Sequence, residues 1–210
     1  MRTSLSSKGP PMRSSTILFL VIALTSCSSS PDSPEPTTRP ADATTSVSST
    51  HSAATPDSPD SRPNVQRLEF ETTIAAPVDR VWKVMLSADG YQKWTAPFMV
   101  GSYFEGSWEE GERIHFLAPG GDGMIAEIAT HRRHEVVSIK HVGYLVDGVE
   151  DTTSEEVRAW APAYETYHFE KVPGGTRVRI EQDAQTGYEE YMNDVWPKAL
   201  AALKALCEER

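Results

Sequence analysis

The chain has 210 residues, with 30 acidic and 20 basic side chains and a formal net charge of −10. That balance argues against a nucleic-acid partner and against electrostatic adhesion to anionic lipid, since both want a basic patch. It holds only two cysteines, Cys27 and Cys207, and a disulfide would have to tie the start of the chain to its end.

Residues 1–26 read as an export signal. Arg2, Lys8 and Arg13 make a positive start with no acid before Cys27, and Ile17 to Leu24 is an unbroken apolar run. The run is too short to cross a bilayer core, which takes about 20 apolar residues. Leu24-Thr25-Ser26-Cys27 resembles the lipobox of bacterial lipoproteins, in which the cysteine is acylated and becomes the new N-terminus. The resemblance implies lipidation at Cys27, attachment to the membrane through that lipid and residence in the cell envelope. Ser28 follows the cysteine where aspartate would signal retention, which implies the outer membrane if the cell is Gram-negative. Cys207 is then a lone thiol, expected to behave as a small buried hydrophobe.

Composition shifts after Cys27. Residues 28–63 are mostly Ser, Thr, Pro, Ala and Asp, with Val47 as the only large aliphatic side chain and no aromatic. Such a segment buries too little apolar surface to offset its ordering entropy, so residues 27–63 are expected to be a lipid-anchored linker. Its r.m.s. reach as a flexible coil is ~35 Å. All the tryptophans and tyrosines, and every phenylalanine but Phe19, lie after Asn64, so residues 64–210 are expected to form one domain. Cleavage before Cys27 removes three basic groups and no acid, taking the mature charge from −10 to −13.

In chain order the domain begins with Gln66–Ile74, whose apolar and polar residues alternate as in a half-buried strand. Pro77 opens a helix with an apolar stripe of Val78, Val81, Trp82 and Met85; Ala88-Asp89-Gly90 is expected to break it, and a short helix or turn follows at Tyr91–Trp94. Six strands are expected near 102–106, 112–117, 124–130, 136–142, 164–171 and 176–183. Turns rich in Pro and Gly, at 119–123 and 173–175, separate some of them. The acidic stretch Asp147–Trp160 reads as a solvated loop with a short helix near 155–160; a lid over a cavity mouth or a partner surface are the alternatives. A long amphipathic helix closes the chain. Thr186 and Glu189 fit a capping box, and Met192, Val195, Trp196, Ala199, Leu200 and Leu203 form a wide apolar face. Pro197 removes one backbone donor and is expected to kink this helix near Asn193. One helix covers only one side of an antiparallel sheet, so the sheet must curl around it. The expected architecture is α+β, a helix-grip fold with room for an apolar cavity between sheet and helix.

Several stretches resemble the START-like superfamily, also called SRPBCC, in the branch related to the activator of the heat-shock-protein-90 ATPase. They are Ala75-Ala76-Pro77-Val78-Asp79-Arg80-Val81-Trp82, Tyr91-Gln92-Lys93-Trp94, Glu105-Gly106-Ser107-Trp108-Glu109-Glu110-Gly111, Pro173-Gly174-Gly175-Thr176-Arg177-Val178 and Trp196-Pro197-Lys198-Ala199-Leu200. The resemblance covers the domain in order and implies the helix-grip fold. That superfamily includes lipid carriers, hormone receptors, polyketide cyclases and co-chaperones, so the fold implies a cavity rather than one activity. A role with the chaperone itself is disfavoured, because an exported domain meets neither it nor ATP.

The candidate ligand-binding residues are Trp94, Trp108, Phe116, Met124, Ile139, His141, Tyr167, Phe169, Met192, Trp196 and Leu200. Strand parity places His141 with Val137 and Ile139, and Glu165 with Tyr167 and Phe169. A His, a Tyr and a Glu would thus converge on an apolar interior, able to orient a ligand or move a proton. The plain alternative is a filled core with a hydrogen-bonded histidine. His131 and His134 flank two arginines in a strand-end turn, a spacing that does not aim both rings at one metal, and no cofactor is implied. The favoured reading is binding of a small hydrophobic molecule without catalysis. A cyclase-like enzyme using His141 or Tyr167, and a protein-interaction module, are the alternatives.

Overall fold

The computed structural model describes residues 64–209. The segments read as signal and linker, and Cys27 with them, lie outside the described residues.

The sheet runs β1 (Val65–Ile74), β2 (Tyr103–Gly106), β3 (Arg113–Leu117), β4 (Gly123–Arg132), β5 (Val136–Val146), β6 (Val149–Asp151), β7 (Ala163–Val172) and β8 (Gly175–Gln185). The helices are α1 (Val78–Leu86), α2 (Ala88–Trp94), α3 (Glu155–Arg158) and α4 (Glu189–Glu208). The spatial order is β1-β8-β7-β5-β4-β3-β2, antiparallel throughout, with β6 paired to β5 off this path. The helix α4 packs on β1, β8, α1 and α2, as the helix-grip expectation requires.

Opposed residues of an antiparallel pair share a face. The register therefore writes the inner surface as cross-strand rows. One row is Leu68–Gln182–Glu165–Ile139–Ile128 and the next is Phe70–Ile180–Tyr167–Val137. A third runs Ala163–His141–Ala126–Ile114. Two bulges interrupt β4 and β5, one leaving Val142 without an opposed residue and one doing the same to Ala129. The bulge at Val142 reverses side-chain parity, as an extra residue in one strand must. Tyr144 thereby joins Met124 and Phe116 in a fourth inner row, Phe116–Met124–Tyr144.

Three local expectations are corrected. Ala88-Asp89-Gly90 does not break a helix; it starts α2. The break is Ser87, extended in backbone and capping α2 by accepting from Gly90 N at 3.2 Å. Gly90 is required at this corner, since a Cβ there would fall 1.8 Å from the Val84 carbonyl oxygen. Second, Thr186 and Glu189 form no capping box. The α4 N-cap is Tyr188, without a side-chain bond, and Glu189 accepts instead from Gly187 N at 2.7 Å. The helix runs unbroken through Pro197, whose exposed face it shares with Asn193, so the carbonyl freed by the proline is open to water.

Third, Asp147–Trp160 is more than a solvated loop: most of it is exposed and the expected short helix forms, but a strand precedes that helix and two of its apolar side chains are buried. β6 returns along β5, and Glu150 reaches Arg113 at 2.8 Å and His115 at 3.5 Å. Those two residues point away from Ile114 and Phe116, so the Glu150 side chain lies on the outer face of the sheet, while β6 itself continues the sheet beside β5. The segment then forms α3, capped by Ser154 on Val157 N at 3.2 Å. Val157 and Trp160, 1% and 4% exposed, pack with Tyr144, Ala163 and Met124 in a cluster of their own. The apolar Val157 and Trp160 are what a reading by charge overlooks.

Candidate functional site

The interior between α4 and the sheet divides into two halves of different character. At one half an aromatic stack fills the space. Trp196 stacks on Trp94 with centroids 6.0 Å apart and on Phe70 at 5.7 Å, while Tyr167 meets both indoles edge-on. Trp94, Trp196 and Tyr167 are almost wholly buried, and Ile139 and Leu200 are likewise out of solvent. The polar atoms of this half are all paired. Trp94 donates to the Met85 carbonyl at 2.9 Å. Trp196 donates to Gln182 Oε1 at 2.5 Å, which orients the amide so that Gln182 Nε2 donates to Glu165 Oε2 at 3.2 Å. The Tyr167 hydroxyl donates to Glu165 Oε1. Trp196, Gln182, Glu165 and Tyr167 thus form a donor chain that ends on a carboxylate. Burial first, and the Glu165 charge second, raise the Tyr167 phenol well above its usual range, so it stays a donor.

In the other half, three buried polar atoms have no partner among the described residues. His141 Nε2 stands 3.7 Å from Glu165 Oε2, and His141 Nδ1 is buried without a partner. The His141 ring packs on Phe116 at 5.7 Å, and Phe116 packs on Trp108 at 5.6 Å. Trp108 Nε1 is likewise buried and unpartnered. Trp160, on Tyr144 at 5.0 Å, is the third such case: its Nε1 has no partner either. His141 lies in the row Ala163–His141–Ala126–Ile114, while Trp108 and Trp160 pack on Phe116 and Tyr144 of the adjoining row. Tyr91 packs on Phe116 and Trp108, and burial, then the Glu165 charge, raises its phenol far above the ordinary value.

The sequence-predicted residues therefore fall into separate groups. His141, Tyr167 and Glu165 converge as strand parity implied. Trp108, Phe116 and Met124 sit with His141 in the unsaturated half, Met124 reaching the Tyr144 cluster. Trp94, Trp196, Ile139 and Leu200 belong to the filled half, and Met192 on the first turns of α4 is 7% exposed. Phe169 is set apart: it packs on Trp82 at 4.9 Å, where His131 and His134 also meet the Trp82 ring edge-on. His131 Nδ1 lies 2.5 Å from the Trp108 carbonyl oxygen. Sequence reasoning missed Gln182, although it shares parity with Val178 and Ile180. It also missed Trp160 and Tyr144, which the β5 bulge and the α3 fold bring in. A separate cleft of about 710 Å3 opens where α1 begins, lined by Pro77, Asp79, His134 and Lys171 among others.

An antiparallel sheet gripping one long helix, with a polar knot on its inner face, defines a START-like domain. Residues 75–208 match the family described as "Activator of Hsp90 ATPase homolog 1-like protein", and the chain belongs to that family. No curated protein matches the chain. Among solved structures it is similar to the Aha1 dimer of Colwellia psychrerythraea, with 20% identity, a TM-score of 0.53, and 68% of this chain and 96% of that one covered. It is also similar to protein MLL2253 of Mesorhizobium loti, at 15% identity and TM-score 0.52 over 67% of this chain and 96% of that one. Protein CV1439 of Chromobacterium violaceum is a third, at 18% and 0.51 over 69% and 98%. At such identities these likenesses speak for the fold alone.

Proposed function

We propose that this protein is an envelope lipoprotein, anchored through Cys27, whose START-like domain binds a small, largely apolar molecule without chemically changing it. The observation that carries the binding reading is the unsaturated half of the interior. Buried polar atoms in folded proteins nearly always have partners. Here His141 Nδ1 and Trp108 Nε1 lack them on either side of Phe116, among apolar side chains, while the other half of the interior is saturated. A bound molecule that supplies the missing partners and covers Phe116 and Met124 accounts for the asymmetry. The anchor rests on the lipobox-like tetrapeptide Leu24–Cys27 and the apolar run before it.

Native mass spectrometry of the mature protein purified from its own host tests the binding. A retained small molecule, lost in His141→Leu, is expected; a bare polypeptide mass under conditions that preserve the fold would end this reading. A second reading has one observation in its favour. A carboxylate beside one imidazole nitrogen, with the other nitrogen free, is the arrangement of a general base. In the cyclase-like version a retained molecule would leave altered, and would leave unaltered from the His141→Leu protein. For the anchor, metabolic labelling with a fatty-acid analogue is expected to mark the wild type and not Cys27→Ser. Equal label in both would remove the lipoprotein half of the proposal.

A further inference from the structure

The chemistry of the unpaired atoms narrows the class of molecule the interior accepts. An indole N–H only donates, and buried indoles usually find an acceptor. Trp94 and Trp196 have found theirs, the Met85 carbonyl and Gln182 Oε1. Trp108 and Trp160 have none among the described residues. Both pack on the inner row Phe116–Met124–Tyr144: Trp108 on Phe116, Trp160 on Tyr144. We infer that Trp108 and Trp160 are the specificity-determining donors of the interior site and that its ligand is an uncharged molecule bearing an acceptor oxygen, a ketone or other carbonyl, on an apolar frame.

Charge supports the uncharged part. Glu165 already places a carboxylate in the interior, held by Tyr167 and Gln182 with His141 at 3.7 Å. A ligand carboxylate would add like charge in a low-dielectric space, where repulsion is weakly screened. A ligand ammonium, itself only a donor, cannot pair with either indole N–H. A carbonyl oxygen satisfies an indole N–H with no net charge to desolvate. The inference rests on the binding reading above and adds to it which group of the ligand is read, and by which residues.

The test uses the mature chain with Cys27→Ser, which needs no detergent, and two probes of nearly equal shape. 2-Acetylnaphthalene carries the carbonyl; 2-isopropylnaphthalene replaces it with a carbon. Calorimetric titration is expected to give the ketone a 2- to 10-fold lower Kd, the ratio of one net hydrogen bond. Trp108→Phe or Trp160→Phe should shrink that preference, read as the ratio of the two Kd values within each variant so that lost packing cancels. Because either variant removes a packed indole, the wild type supplies an independent readout. The indole N–H resonances of Trp108 and Trp160 should move with the ketone and not with the hydrocarbon, while those of Trp94 and Trp196 stay in place. Equal affinities for the two probes, or a ketone preference that survives both substitutions, would overturn the acceptor inference and leave the binding reading standing. The same holds if internal waters already satisfy both indoles, which equal affinities would reveal. Failure of either probe to bind would overturn both.

Discussion

Leu200 and Tyr144 show how differently single residues serve the two halves of the interior. Leu200 is 3% exposed, in a region with every polar atom paired. Truncation there leaves a void that the rings do not collapse to fill. Leu200→Ala is expected to lower the unfolding free energy by ~2–5 kcal/mol in urea titration. A loss below ~1 kcal/mol would mean that this half is open rather than filled. Tyr144 carries a titration. Burial first, then the charges of Glu156 and Tyr188, push its phenol up to about 12 from the usual 10. Below pH 10 the hydroxyl is protonated in both folded and unfolded chains and costs nothing. As pH rises from 10 through 12 the unfolded chain releases its proton first, so stability falls across that window. Tyr91 and Tyr167 add to the fall, both being raised as well. Tyr144→Phe is therefore expected to make the decline between pH 10 and 12 shallower in thermal melts, without abolishing it.

At the scale of elements, the β5–β6–α3 segment decides the shape of the unsaturated half. β6 pairs closely along β5 because residue 143 is glycine: a Cβ there would sit 2.1 Å from the Asp151 carbonyl oxygen, against backbone that cannot swing aside. Gly143→Ala is expected to lift β6 away and loosen α3 behind it. Hydrogen exchange should then accelerate across residues 149–160 while α4 keeps its protection. Unchanged exchange in that segment would show that β6 is not held by this contact. The same segment explains what sequence reading reached and where it stopped. Alternation along Val137, Ile139 and His141, and along Glu165, Tyr167 and Phe169, put the right residues on the inner face, because side-chain direction in a regular strand is a local property. Tyr144 escaped because the Val142 bulge inverts the alternation, and a bulge leaves no mark in the periodicity of one strand. Trp160 escaped because five nearby acids outweigh two apolar residues in any composition window.

For the whole molecule, the distribution of apolar residues predicts how the chain divides. Residues 28–63 lack the side chains a core needs, and the folded elements begin at Val65. Deleting residues 28–63 is expected to leave the melting temperature of the mature protein unchanged by scanning calorimetry; a drop of several degrees would mean that this segment docks on the domain. No helix among the described residues is long and apolar enough to cross a membrane; the proposed attachment is through Cys27. The net charge of −10 runs the same way, since it offers anionic lipid no attraction.

By itself the sequence determined the helix-grip architecture, the inner face of each regular strand and the apolar face of α4. All of these follow from periodicity and from the order of elements, which short-range sterics and burial enforce. It also determined the convergence of His141, Glu165 and Tyr167, because those residues lie on regular stretches of paired strands. Only the tertiary structure decided that Trp94 and Trp196 are stacked and saturated while Trp108 and Trp160 are left without acceptors. Whether an indole N–H is paired depends on which carbonyl or amide the rest of the chain brings within 3 Å. That is a property of packing across distant residues, and the 14 positions between Gln182 and Trp196 encode no part of it locally.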